Sequence, residues 1–334
     1  MQTAVHQGRR SRTRCFVVDI IVVGSRERWH GPASLIRSRS ANASLPMSRR
    51  PAVLISAVEL AALLESAQKP VVADVRWNLG GPPGRPEFEE GHIPGAAWVD
   101  LESHLAGPPG AGGRHPLPAV AVFEQAMRDI GVRKDSLVVA YDAATSQAAA
   151  RLWWLLSDAG HDGVRVLDGG LAAWIAAGLP IESGGSAAPT PGDFVARPGQ
   201  RRRFSAAQIA ARLGKPDAPT LVDVRAAERY AGENEPIDPV AGHIPGAVNV
   251  PSSANAYPDG RFLPSAEIAA LYEAAGAADQ GVTDNAVLYC GSGITAAQSL
   301  LALESAGLTA AIYPGSWSEW ITDPNRPIAV GRRP

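Results

Sequence analysis

The chain has 334 residues, 46% of them hydrophobic and 19% charged, with a formal net charge of −2 at neutral pH. That length supports two ordinary domains, each with its own core. Its two cysteines, Cys15 and Cys290, lie far apart, which excludes a disulfide framework; no CxxC pair or Cys/His cluster has metal-ligand spacing, and a reducing, cytoplasmic setting fits best.

The first 50 residues carry ten arginines against Asp19 and Glu27, so the remainder of the chain is acidic. This segment lacks periodicity and reads as a basic, disordered extension over 1–50. Its apolar stretch FVVDIIVVG (16–24) is too short to span a bilayer and contains Asp19. Three readings compete for it: a basic arm for nucleic acid, an import peptide, or upstream sequence ahead of a start at Met47. The last is preferred, because capped, periodic sequence begins within ten residues of Met47.

From there the same ordered features occur twice, at an offset of about 149 residues. Each copy opens with a helix carrying a capping box, Ser56 with Glu59 and Ser205 with Gln208. A short apolar strand follows, VVADVR (71–76) and TLVDVR (220–225), and then GHIPGA, at 91–96 and 242–247, where His-Ile-Pro-Gly forces a tight turn. Gly-Arg comes next in both copies (Gly113-Arg114 and Gly260-Arg261), then an amphipathic helix and a second buried strand, SLVVAYD against NAVLYCG. A long helix, a short strand and a segment closing on Trp174 or Trp320 complete each copy. Short apolar strands alternating with helices predict an α/β fold of two tandem domains, each a mainly parallel sheet with helices on both faces. The Gly, Pro and Ser content of 183–199 marks a linker, so the domains are expected over 51–182 and 200–334.

The copies differ where the central strand ends: Tyr141 matches Tyr289, so Asp142 matches Cys290. In open α/β sheets ligands bind outside the carboxyl ends of the strands, where the next helix presents free N–H groups. Cys290 has that position, and Gly291 and Gly293 allow the backbone N–H groups to curl inward as an anion nest. Such surroundings favour a thiolate, or a persulfide anion, over a buried structural thiol. A cysteine phosphatase would need an arginine where this chain has Ala296, and no histidine follows His243 to serve a local Cys-His hydrolase.

The duplicated DVR and GHIPGA elements, the single loop CGSGIT and the closing GSWSEW (315–320) together resemble the two-domain rhodanese sulfurtransferases over residues 52–330. Within that group CGSGIT is similar to the loop of the 3-mercaptopyruvate sulfurtransferases. Thiosulfate-using members carry cations in the loop, whereas Gly291-Ser292 supplies a hydroxyl and backbone N–H groups. The resemblance implies that Cys290 takes sulfane sulfur from 3-mercaptopyruvate as a persulfide, releases pyruvate, and passes the sulfur to a thiol or cyanide, without metal or organic cofactor. It implies a substrate site of Gly291, Ser292, Gly293, Ile294 and Thr295 with Arg225 and Arg229 binding the donor carboxylate. His92 matches a histidine linked to proton transfer, but the acidic partner expected with it falls on Gly81, and its recurrence as His243 favours a turn-forming role. A thioredoxin-like reductant is a possible acceptor partner, and neither nucleic acid nor membrane is expected. The alternatives are a thiosulfate:cyanide sulfurtransferase of the same mechanism and a non-enzymatic, redox-sensing module.

Overall fold

Among the described residues every strand pair is parallel, as short apolar strands joined by helices require. The structure is a computed structural model describing residues 52–82, 84–185, 189–277 and 285–334; the basic extension 1–50, with Met47 and Cys15, lies outside the described residues. The first sheet contains β1 (Leu54–Ile55), β2 (Val71–Asp74), β3 (Ala97–Trp98), β4 (Val138–Tyr141) and β5 (Val164–Leu167), in the order β1-β5-β4-β2-β3. The second contains β6 (Thr220–Asp223), β7 (Val248–Asn249), β8 (Ala286–Tyr289) and β9 (Ala311–Ile312), in the order β7-β6-β8-β9. Around the first sheet run α1 (Ala57–Leu64), α2 (Arg85–Glu90), α3 (Leu101–His104), α4 (Val120–Asp129), α5 (Gln147–Asp158) and α6 (Gly170–Ala176). Around the second run α7 (Ala206–Ala210), α8 (Ala227–Ala231), α9 (Ser265–Ala274), α10 (Ile294–Ser305) and α11 (Ser316–Trp320). Both capping boxes form, closing the first turns of α1 and α7.

The repeated motifs hold the two copies together in the same way. Register places Asp74 beside Tyr141 and Asp223 beside Tyr289 at the carboxyl ends of the central strands. Arg76 binds Asp74 and donates to the Gly91 carbonyl, and Arg225 binds Asp223 and donates to the Gly242 carbonyl. The tyrosine hydroxyls accept from Ile93 N–H and Ile244 N–H. His92 bonds the Phe88 carbonyl and stacks on Phe88, while His243 bonds the Tyr230 carbonyl and stacks on Tyr230. DVR and GHIPGA are thus two ends of one buried clamp between the β2 or β6 strand end and the turn ahead of β3 or β7.

The expectation of a separate core for each domain is corrected by α5 and α10. These helices are buried nearly all round and pack against each other, with Ala148, Ala149, Ala296 and Ala297 providing the small side chains near their N-termini. The inner faces of both sheets therefore share one apolar cluster, in which Trp153, Trp154, Leu300 and Leu301 are at most 2% exposed. Each outer face keeps its own smaller cluster.

The Pro- and Gly-rich connection has neither helix nor strand over its described residues 189–199, yet it is pinned to the first half. Phe194 is buried against Phe123 and His161, its N–H donates to the Val132 carbonyl, and Asp193 accepts from Lys134 N–H. Beyond it, Arg203 pairs with Asp158 of α5 and Arg201 with Glu304 of α10. Among the described residues no helix is long and apolar enough to cross a membrane.

Candidate active site

Cys290 follows β8 directly and lies three residues ahead of Gly293, the N-cap of α10. Gly293 has φ +82, and a Cβ there would lie 2.1 Å from the Pro314 carbonyl oxygen, so glycine is required. This bend brings Gly293 N–H to 3.1 Å from Cys290 Sγ, one directed donor on the sulfur at the positive end of a twelve-residue helix. The opposite wall is the turn into α11. Ser316, held at φ +56, accepts from Cys290 N–H, donates to the Tyr313 carbonyl and leaves its Oγ 3.9 Å from the sulfur. Trp317 and Ser318 N–H groups bond the Cys290 and Gly291 carbonyls, fixing the loop from below.

Gly291 has a different reason from the one its sequence context suggested. Its backbone is not left-handed; the missing side chain leaves room for two guanidinium groups. A Cβ at Gly291 would lie 2.9 Å from Arg114 Nη2, 3.6 Å from Arg229 Nη1 and 3.5 Å from Arg229 Nη2. Arg114 comes from the first half and Arg229 from α8, and both bind the buried carboxylate of Asp238. Arg229 is held as well by Glu235, whose carboxyl, despite burial that pushes its pKa up, is kept below the usual range by hydrogen bonds from Arg229 and from backbone N–H groups. Arg114 Nη2 and Arg229 Nη1 carry none of these bonds.

Ser292, also buried, meets a residue from the other half: its Oγ is 2.7 Å from His115 Nδ1. His115 Nε2 lies 3.3 Å from Glu102 Oε1, and Trp77 donates to the same oxygen at 2.7 Å while its ring meets the imidazole edge-on. With Nε2–H donating to Glu102, Nδ1 is left to accept the Ser292 hydroxyl proton. Burial pushes the His115 pKa below its ordinary 6.5; Glu102 opposes this, and the charges of Arg114 and Arg151 add to it.

The other residues expected in the site fall in three places. Ile294 begins α10 with its side chain in the shared core, and Thr295 beside it is half-buried. Arg225 is 3% exposed, and its guanidinium is taken up by Asp223, Glu235 and the Gly242 carbonyl over the Trp317 ring. Arg76 repeats that arrangement with Asp74 beside a strand that ends in no thiol, so the contacts of Arg225 are those of the clamp. His92, fully buried, faces Phe88 and lies 3.9 Å from Glu182, within the turn.

Reading the sequence passed over Arg114, His115 and Glu102. A signal was present: Gly-Arg occurs in both copies, but a histidine follows it only in the first, Gly113-Arg114-His115 against Gly260-Arg261-Phe262. Gly113 shows why that segment reaches across, since a Cβ there would press on Ser318 Oγ at 2.7 Å and on the backbone of 315–319.

In the first half the equivalent cradle is already filled. The Asp142 carboxylate accepts from the N–H groups of Ser146, Ala148 and Ala149 at 2.9, 3.1 and 3.3 Å, at the start of α5. The loop there is one residue longer, with four positions from Asp142 to the N-cap Ser146 against three from Cys290 to Gly293.

Comparison with known proteins places this geometry. The profile of the rhodanese-like domain matches residues 56–177 and again 205–323. A Pseudomonas aeruginosa protein provisionally named 3-mercaptopyruvate sulfurtransferase is 48% identical over 286 residues, covering 84% of this chain and 99% of that one. A Mycobacterium tuberculosis protein provisionally named thiosulfate sulfurtransferase SseB is 43% identical, covering 85% of this chain and 99% of the relative. The crystal structure of SseA from Escherichia coli, a 3-mercaptopyruvate sulfotransferase, superposes with a TM-score of 0.69 at 30% identity, over 80% of this chain and 99% of that chain.

Proposed function

The chain belongs to the rhodanese-like domain family, and from that premise we propose that it is a sulfurtransferase taking sulfane sulfur from 3-mercaptopyruvate through a persulfide on Cys290. The observation that carries this reading is the convergence of a sulfur nucleophile, two guanidinium groups with unpaired nitrogens, and a hydroxyl–imidazole–carboxylate chain on one loop.

Each part matches one demand of the donor. The donor carboxylate binds Arg114 Nη2 and Arg229 Nη1 above Gly291. The Cys290 thiolate then attacks the donor sulfur. An S–S bond forms, the C–S bond breaks, and its electron pair goes to the carbon as the enolate of pyruvate. The donor thiol proton passes to Ser292 and His115 Nδ1, whose lowered pKa keeps it free to accept at neutral pH, and returns to the enolate carbon to give pyruvate. Glu102 holds the imidazole tautomer and steadies its transient charge. In the second half-reaction an acceptor thiolate or cyanide attacks the outer sulfur of the persulfide, the S–S bond breaks, and the Cys290 thiolate is restored. A dithiol reductant of the thioredoxin type and a cytoplasmic setting fit this chemistry.

Thiosulfate is the second reading, supported by the relative that carries that name and by the two arginines, which supply the positive charge the loop itself lacks. Thiosulfate brings no proton to a new carbon, however, and would leave the Ser292–His115–Glu102 chain idle, so the keto acid is preferred. The test is mass spectrometry of the protein after incubation with 3-mercaptopyruvate. One added sulfur on Cys290 with an equivalent of pyruvate is expected. A thiol that reacts with alkylating agents but neither gains sulfur nor releases pyruvate overturns the reading, and faster loading from thiosulfate overturns the choice of donor.

A further inference from the structure

A buried cation behind the cysteine loop is used by neither the clamp nor the donor site. Arg151, in the second turn of α5, has no solvent exposure. Its Nε donates to the Leu105 carbonyl and its Nη2 to the carbonyls of His115 and Pro116, at 3.2 to 3.3 Å. Nη1 is buried with no hydrogen-bond partner, and among the described residues no carboxylate forms an ion pair with this guanidinium. Arginine does not shed its proton to escape such a place, and a fully buried charge without a counter-charge is costly. Three carbonyl dipoles offset part of that cost; the rest calls for an anion.

The duplication identifies where the anion lies. Arg151 is five residues past the N-cap of α5, and Gln298 is five residues past the N-cap of α10. Gln298 lines one cavity with Ala144 and Thr145 of the first-half loop, and Arg151, at the matching position, donates to the carbonyl of His115, whose imidazole meets Ser292 of the Cys290 loop. The cation is on α5, in the half opposite the one that carries Cys290, and the neutral amide is on α10, in the half opposite the one that carries Asp142.

We propose that Arg151 is the internal counter-charge of the Cys290 sulfur, stabilising the thiolate and the persulfide anion from the other half of the molecule while its carbonyl bonds hold the His115 segment in place. This rests on Cys290 being the sulfur carrier. In keeping with it, Arg151 is pulled down to about 10 by burial and supported chiefly by the charge of Cys290, and its own charge helps to keep His115 neutral. The other charged or titratable groups around the loop have partners or the donor to serve: Arg114 and Arg229 bind Asp238 and turn their remaining nitrogens to the donor carboxylate, His115 meets Glu102, and Glu319 of α11 meets Tyr313. At the end of the neighbouring strand, Asp223 is matched by Arg225.

The experiment measures the rate of Cys290 alkylation by iodoacetamide against pH in wild type, Arg151→Met and Arg151→Lys, each checked for folding by circular dichroism. The methionine variant is expected to react on the order of ten-fold more slowly at neutral pH, with its pH profile displaced upward, and lysine to recover most of the loss. Equal profiles in wild type and Arg151→Met, or equal loss in both variants, overturn the proposal. Should Arg151→Met not fold, the side-chain 15N resonance of Arg151 in wild-type protein provides the same decision. It is expected to shift when Cys290 is alkylated, and an unmoved resonance overturns the proposal. Failure of the sulfurtransferase reading is separately visible, as wild-type protein that alkylates normally but releases no pyruvate.

Discussion

Replacing Arg114 by methionine separates a donor-binding arginine from one that only ties the two halves together. The substitution removes one of the two guanidinium groups above Gly291 and keeps most of the apolar stem. Asp238 is not stranded, because Arg229 Nη2 remains 2.9 Å from its other oxygen, and Arg114 itself is partly open to solvent. The loss is therefore expected in donor affinity. A charge-assisted hydrogen bond to a carboxylate contributes about 1.5–3 kcal/mol, which corresponds to a rise in KM of roughly 10- to 150-fold. In the proposed pose the arginine touches the carboxylate and not the sulfur, so it binds ground state and transition state alike and kcat should change little. The assay is steady-state pyruvate release from 3-mercaptopyruvate, followed by coupled reduction to lactate. A folded variant whose KM stays within about two-fold of wild type would refute the placement of the carboxylate above Gly291.

Three further outcomes are expected. Arg225→Ala leaves Asp223 as a buried, unpaired carboxylate, and urea unfolding should show a loss of about 3–5 kcal/mol; a loss under about 1 kcal/mol would mean the clamp is not what Arg225 supports. Cys290→Ser should abolish sulfur loading, and adding Asp142→Cys should not restore it, since the second-half segment that matches Gly113-Arg114-His115 has Phe262 in place of the histidine that Ser292 meets; measurable transfer by the double variant would contradict this. Because burial pushes the His115 pKa down and the ring must be neutral to accept a proton, the acid limb of kcat/KM should lie at lower pH than a free imidazole would give. Arg114→Met removes one of the charges that lower that pKa, so its acid limb should move to higher pH; a limb that does not move would detach His115 from the rate.

The duplication, the parallel sheets, the capping boxes and the position of Cys290 were legible because each depends on residues close together in sequence. The two arginines expected near the loop were only half legible as to position. Arg229 lies against Gly291 of the cysteine loop, but Arg225 shares its contacts with Arg76 in the half that has Asp142 in place of Cys290, and its repetition as DVR was the sign of a common scaffold. His115 and Glu102 were missed because their partner Ser292 is 177 residues away from His115, across an interface that no local pattern encodes. The same is true of the merged core. The apolar faces of α5 and α10 announce burial, but not that they would be buried in each other.

That merged core bears on the order in which the protein is made. The half without the thiol leaves the ribosome first, with the apolar face of α5 still waiting for α10, and with Arg114, His115 and Arg151 already in its sequence. Cys290 is translated after that half. Its loop meets His115 of the first half only once the two halves have docked, so the contacts around Cys290 form together with the merged core. A fragment beginning near residue 200 would keep Cys290 and lose those contacts.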